Sequence, residues 1–100
     1  MKYNNKKTSG YDSKKEFFRS LVLKQMLKDG EISDLKEQER FRFEVNGKLI
    51  CSYVSDFSYI ENGKYIVEDV KSKITAKAPV YRIKNKMMKA FYNIDIREFI

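Results

Sequence analysis

The sequence predicts an α/β domain built in the order α-β-β-β-α-β, with a mixed four-stranded sheet flanked by two helices. Three observations lead there. Two stretches, 13–29 and 79–92, carry helical apolar periodicity and helix-start signals. Strand-like runs at 40–45, 48–60 and 64–71 are joined by two Asn-Gly pairs. A last run, 94–100, alternates apolar and polar residues after the second helix, so a helical crossover adds a fourth strand to a meander.

Residues 1–10 (MKYNNKKTSG) are polar and basic and read as a flexible arm, with one domain over 11–100. Ser13-Lys-Lys-Glu16 is a capping-box pattern ahead of Phe17, Phe18, Leu21, Val22, Met26 and Leu27, which opens the first helix. Gly30 ends it as the C′ residue. Glu16 shares a helical line with Leu23 and Leu27, which turns it toward protein. Residues 31–39 read as a polar connection anchored by Ile32 and Leu35, and Gln38 in it suits a loop hydrogen bond.

Phe41, Phe43 and Val45 share one face of the first strand. Residues 72–78 read as a loop, and Pro79 suits the first turn of the second helix. Val80, Ile83, Met87, Met88 and Phe91 mark that helix's apolar side, with Met87, Met88 and Phe91 read as core. Asn93 ends it.

The most specific local signal is the second hairpin. Asn-Gly favours a type I′ turn, which needs positive φ at both central residues. If Asn62 and Gly63 form the turn, Glu61 faces Lys64, and counting outward sets Asp56 opposite Asp69. Lys71 shares their face, whereas Glu68 points to the other one. Two opposed carboxylates repel. A divalent cation offsets that repulsion, and oxygen ligands suit Mg²⁺ or Mn²⁺. Such a site favours phosphodiester hydrolysis, with Lys71 beside the attacking water. The plain alternative is a surface hairpin that carries Asp and Lys as many do.

Composition narrows the chemistry. The chain holds 100 residues, with net charge +7, no histidine and one cysteine. The charge suits a polyanionic partner. The absence of histidine excludes histidine acid–base chemistry and histidine-ligated zinc. The single Cys51 excludes an internal disulfide and reads as packed in or beside the sheet. No apolar run is long enough to span a membrane and no signal peptide is visible, so the expectation is a cytoplasmic protein with no membrane partner.

The element order, with these residues on it, resembles the PD-(D/E)XK nuclease superfamily, whose core is αβββαβ, the restriction-endonuclease-like fold. In that resemblance the second-strand acid is Asp56, the third-strand element is Asp69-Val-Lys71, and the first-helix glutamate is Glu16.

Closer still is the likeness to a small phage and prophage family described as a domain of unknown function. Its members share F-D-S-K-K-E, G-E-I-x-x-L, A-D-F-x-Y and V-E-D-V-K-G. Here those stretches read Tyr11-Asp-Ser-Lys-Lys-Glu16, Gly30-Glu-Ile-Ser-Asp-Leu35, Ser55-Asp-Phe-Ser-Tyr59 and Val67-Glu-Asp-Val-Lys71, followed by Ser72 in place of glycine. A T-x-x-Y-x-x-K-x-K region is echoed by Thr75, Tyr81, Lys84 and Lys86.

The resemblance implies a Mg²⁺- or Mn²⁺-dependent DNA endonuclease, similar to endonuclease I-type Holliday-junction resolvases. Asp56, Asp69 and Glu16 would hold metal and Lys71 would serve catalysis. A homodimer acting on branched DNA is implied as well. Lys14, Lys15, Lys77, Arg82, Lys84 and Lys86 are the candidate DNA contacts, with an ordinary solvated surface as the alternative. Glu16 has its own alternative, because a capping box wants glutamate at N3 for backbone reasons alone. Two other functions stay open: a non-catalytic DNA-binding protein with the same fold, and a small phage protein that binds a host protein.

Overall fold

The computed structural model describes residues 13–100. The basic arm expected over 1–10 and the Tyr11-Asp12 start of the first motif lie outside the described residues.

Helix α1, Lys14–Lys28, begins where the capping box places it. The Ser13 hydroxyl accepts the Glu16 N–H at 3.1 Å. It ends in a Schellman closure: Gly30 N–H donates to Leu27 C=O and Glu31 N–H to Met26 C=O. Gly30 makes that closure possible with φ of 78°.

The periodicity that announces α1 is not the face it buries. Its buried residues are Glu16, Ser20 and Leu23, while Phe18, Leu21 and Val22 stay exposed. The line running through Glu16 and Leu23 is the inward one, whereas Leu27, on the same line, is exposed.

Residues 31–39, read as a connection, contain strand β1, Ser33–Glu37. It pairs antiparallel with β4, Phe57–Glu61, across an irregularity between Ser33 and Lys36. Its charged sequence hid it, and charge is how an edge strand avoids further pairing.

Strands β2, Arg40–Val45, and β3, Lys48–Val54, form a hairpin around Asn46-Gly47, both residues with positive φ. The strand expected to run from 48 to 60 is broken at Ser55-Asp56. Up to Val54 the chain pairs with β2; from Phe57 it pairs with β1 and with β5, Lys64–Val70. The expected meander is therefore two sheets: β2-β3 alone, and a mixed sheet in the order β1-β4-β5-β6. Strand β1 occupies the edge that β2 was expected to fill.

A 3-10 turn at Thr75–Lys77 interrupts the expected loop. Helix α2, Pro79–Tyr92, has proline in its first turn and closes on Asn93 with φ of 57°. It carries the chain to β6, Arg97–Phe99, parallel to β5 and shorter than the expected 94–100. The α/β class and the mixed four-stranded sheet match the sequence expectation, with the small second sheet added.

The two apolar cores lie on either side of the four-stranded sheet. Leu23 of α1 packs with Ile32, Phe57 and Tyr59. Phe41, Phe43 and Tyr53 of the hairpin pack with Val67, Tyr81 and Met88. Of the expected stripe on α2, Met88 is fully buried and Met87 half-buried, while Phe91 stays 42% exposed. Cys51 is half-buried against that core, its Sγ 3.8 Å from Met87 Sδ. Among the described residues no helix is long and apolar enough to cross a membrane.

Candidate functional site

The Asn62-Gly63 turn fixes the register on which the site depends. Both residues have positive φ, and Glu61 pairs with Lys64 and Phe57 with Glu68. One step beyond the last β4–β5 pair lie Asp56, just before β4, and Asp69, within β5. They brace each other crosswise: Asp56 N–H donates to Asp69 Oδ1 at 2.9 Å, and Val70 N–H donates to Asp56 Oδ2 at 2.8 Å. The Asp56 carbonyl accepts the Gln38 N–H at 3.1 Å, and Ser55 N–H donates to Glu39 C=O. Gln38 thus serves as the loop residue it was read to be, with φ of 56°.

Lys71 stands over the pair. Its Nζ is 3.6 Å from Asp69 Oδ2 and 4.1 Å from the centre of the Tyr81 ring. The Tyr81 hydroxyl donates to Glu98 Oε2 at 2.6 Å, and Asn85 reaches both groups. The lysine is therefore held by a carboxylate on one side and an aromatic face on another.

Burial pushes the Asp56 carboxyl up to about 7, and the neighbouring Asp69 charge adds to the rise. Glu16 raises it further, while the Val70 N–H and Lys71 pull it down. Asp69 is likewise raised by burial, against the Tyr53 hydroxyl, Lys71 and the Asp56 N–H, which all lower it. Among the described residues the buried Tyr53 hydroxyl, beside Asp69, has no partner in hydrogen-bond geometry.

The pair opens into a cavity of about 420 Å³. Its walls include Tyr53, Val54, Val80 and Tyr81, and Arg40 and Lys84 bring positive charge to it. Arg40 is fixed there by a 2.8 Å hydrogen bond from its Nη1 to Ser52 Oγ. A negative floor with cationic sides suits a phosphate group that arrives with a cation.

The other expected residues divide. Glu16 is buried and its charge is felt at Asp56. Lys15 donates to the Lys71 carbonyl at 2.9 Å, which ties α1 to the end of β5. Lys84 lines the acidic cavity. Lys77 and Arg82 line a second one. Lys14 and Lys86 are exposed on their helices. Glu68 points away from Asp69, as the strand period requires. It is fully buried on the α1 side, bound by Arg19 Nε and Nη2 at 2.8 and 2.9 Å and by the Tyr59 hydroxyl.

Sequence reasoning missed Arg40, Tyr53 and Tyr81 as neighbours of the acids. Arg40 and Tyr53 arrive on the separate hairpin, so no register rule links them to β5. Tyr81 carried a signal, since it fell within the echoed family region.

The residues fit a hard divalent cation in their donor chemistry. Both carboxylates are buried and mutually repelled, and among the described residues each keeps one oxygen that takes no backbone hydrogen. Among the described residues no three acidic or thiol side chains gather within reach of one ion.

Fold and site define an α/β domain whose cleft holds the Asp56–Asp69 pair with Lys71 beside it. The chain belongs to the DUF1064 family, a family described as proteins of unknown function, whose model matches residues 1–98. Neither the curated proteins nor the solved structures contain a match to it.

Proposed function

We propose that the chain is a metal-dependent endonuclease of the PD-(D/E)XK type that hydrolyses phosphodiesters in DNA, with branched DNA as substrate. The observation that carries this reading is the braced Asp56–Asp69 pair with Lys71 over it, at the floor of a cleft with cationic sides. A binding protein gains nothing from two buried acids facing a phosphate backbone.

Asp56 and Asp69 would hold Mg²⁺ or Mn²⁺, with Glu16 adding negative charge behind them. When bound there, such an ion would acidify a water and offset charge on the phosphate oxygens. Arg40 and Lys84 grip the phosphate and its neighbour. Lys71 holds its ammonium beside the acids, where it orients the water and stabilises the charge that develops at phosphorus. The water oxygen gives up one proton to solvent as it bonds to phosphorus, while the bond from phosphorus to one ester oxygen breaks and that oxygen leaves with the shared electron pair and takes up a proton. One chain offers one such cleft, so cutting both strands symmetrically takes two copies.

The test is divalent-dependent cleavage of labelled DNA by the native chain and by Asp69→Asn. Cutting that needs the metal and vanishes in the variant supports the proposal; cutting that survives in EDTA or in the variant opposes it.

A further inference from the structure

We propose a second phosphate-binding site, apart from the acid pair, in the cavity of about 290 Å³ where Lys73, Lys77 and Arg82 converge. It deepens the nuclease reading and rests on it only for the source of the phosphate, a nucleic acid strand.

The three cations come from three segments: the chain after β5, the 3-10 turn and the first turn of α2. Among the described residues none of the three takes part in an ion pair, whereas Lys89 on the same helix is paired with Asp95 at 3.0 Å. The acidic side chain lining this cavity is Glu98, whose Oε2 already accepts from Tyr81 and Asn85, and Ile100 lines it as well. Three positive charges around one engaged carboxylate repel one another, and an anion between them relieves the repulsion. A guanidinium fork with two ammonium groups suits a phosphate, whose several oxygens can accept from all three.

Position links this site to the first. Tyr81 lines the acidic cavity and its hydrogen-bond partner Glu98 lines the basic one, so that pair forms the partition between them. Asp69 and Glu98 are register partners on β5 and β6. Lys71 lines the first cavity and Lys73 the second. A strand with one phosphate over Asp56 and Asp69 that crosses this partition brings another phosphate to Lys73, Lys77 and Arg82.

The experiment measures binding of a fluorescent single-stranded oligonucleotide in EDTA across a salt series. Cleavage plays no part, so the outcome is independent of whether the chain is a nuclease. Two triple variants are compared with the native chain: Lys73→Gln with Lys77→Gln and Arg82→Gln, and a control with Lys28→Gln, Lys48→Gln and Lys64→Gln. All six side chains are exposed, and circular dichroism checks that both variants fold.

The first triple is expected to weaken binding about tenfold at low salt and to reduce the salt slope by about 1, while the control loses much less. Oligonucleotides with and without a 5′-phosphate separate the sources. An equal loss on both assigns the site to a backbone phosphodiester, and a loss confined to the phosphorylated strand assigns it to a terminal phosphate. Equal losses in the two triples, or none in either, overturn the proposal.

Discussion

Asp56 sits at the centre of two residue-scale predictions. Burial and the Asp69 charge lift its pKa from an ordinary 3.8 to about 7, so the folded state binds this proton more tightly than the unfolded chain does. The stabilisation is complete below about pH 4 and is lost as pH rises through about 7. In EDTA the melting temperature should fall between pH 5 and 8, Asp56→Asn should flatten that fall, and Mg²⁺ should raise the melting temperature most at the alkaline end. Differential scanning calorimetry across that range checks all three.

Lys71→Met removes the ammonium held beside Asp69, and should lower kcat by about 10²–10³ in a cleavage assay. These positions were legible because a two-residue turn fixes register by counting. Tyr81, which holds Lys71 by its ring face, was not, because a helix residue's distance to a strand depends on packing angles that the sequence does not state.

At the scale of elements, α1 and β5 are joined by charge as well as by apolar contact. Arg19 and Glu68 form a two-pronged pair with only 14% and 0% of their side chains exposed, and the guanidinium lies 4.2 Å from the Phe99 ring. Arg19→Met would leave a buried carboxylate without its cation and should cost about 3–5 kcal/mol, read as a lower urea midpoint.

Gly63 makes the turn that sets the site register, at φ of 76° with open space where a Cβ would stand. Gly63→Ala should therefore cost about 1–2 kcal/mol through backbone strain alone, measured by the same melt.

Both hairpins and both helices were legible because Asn-Gly, a capping box, Gly30 and Pro79 act locally. Strand β1 was not, since its residues are charged and its strand state comes from β4 beside it. The break at Ser55 was hidden for a similar reason. Both flanking halves favour strand, and only the change of partner from β2 to β1 and β5 divides them. The inward face of α1 was half legible: Glu16 and Leu23 define it, while Phe18, Leu21 and Val22 suggested another.

For the whole molecule, a net charge of +7 suits the proposed polyanionic partner without choosing a sequence. On the proposed reading, discrimination would belong to the shape of the two cavities, one lined by Tyr81 and the other by Glu98. The central claim is that this basic surface delivers a phosphodiester to Asp56, Asp69 and Lys71. It is tested most directly by cleavage of a labelled four-way junction beside matched linear duplex and single-stranded DNA, in Mg²⁺, Mn²⁺ or EDTA, with Asp69→Asn in parallel. The account predicts cutting with either metal, strongest on the junction, and none in EDTA or in the variant. Tight binding of the junction with no cutting under either metal would contradict it.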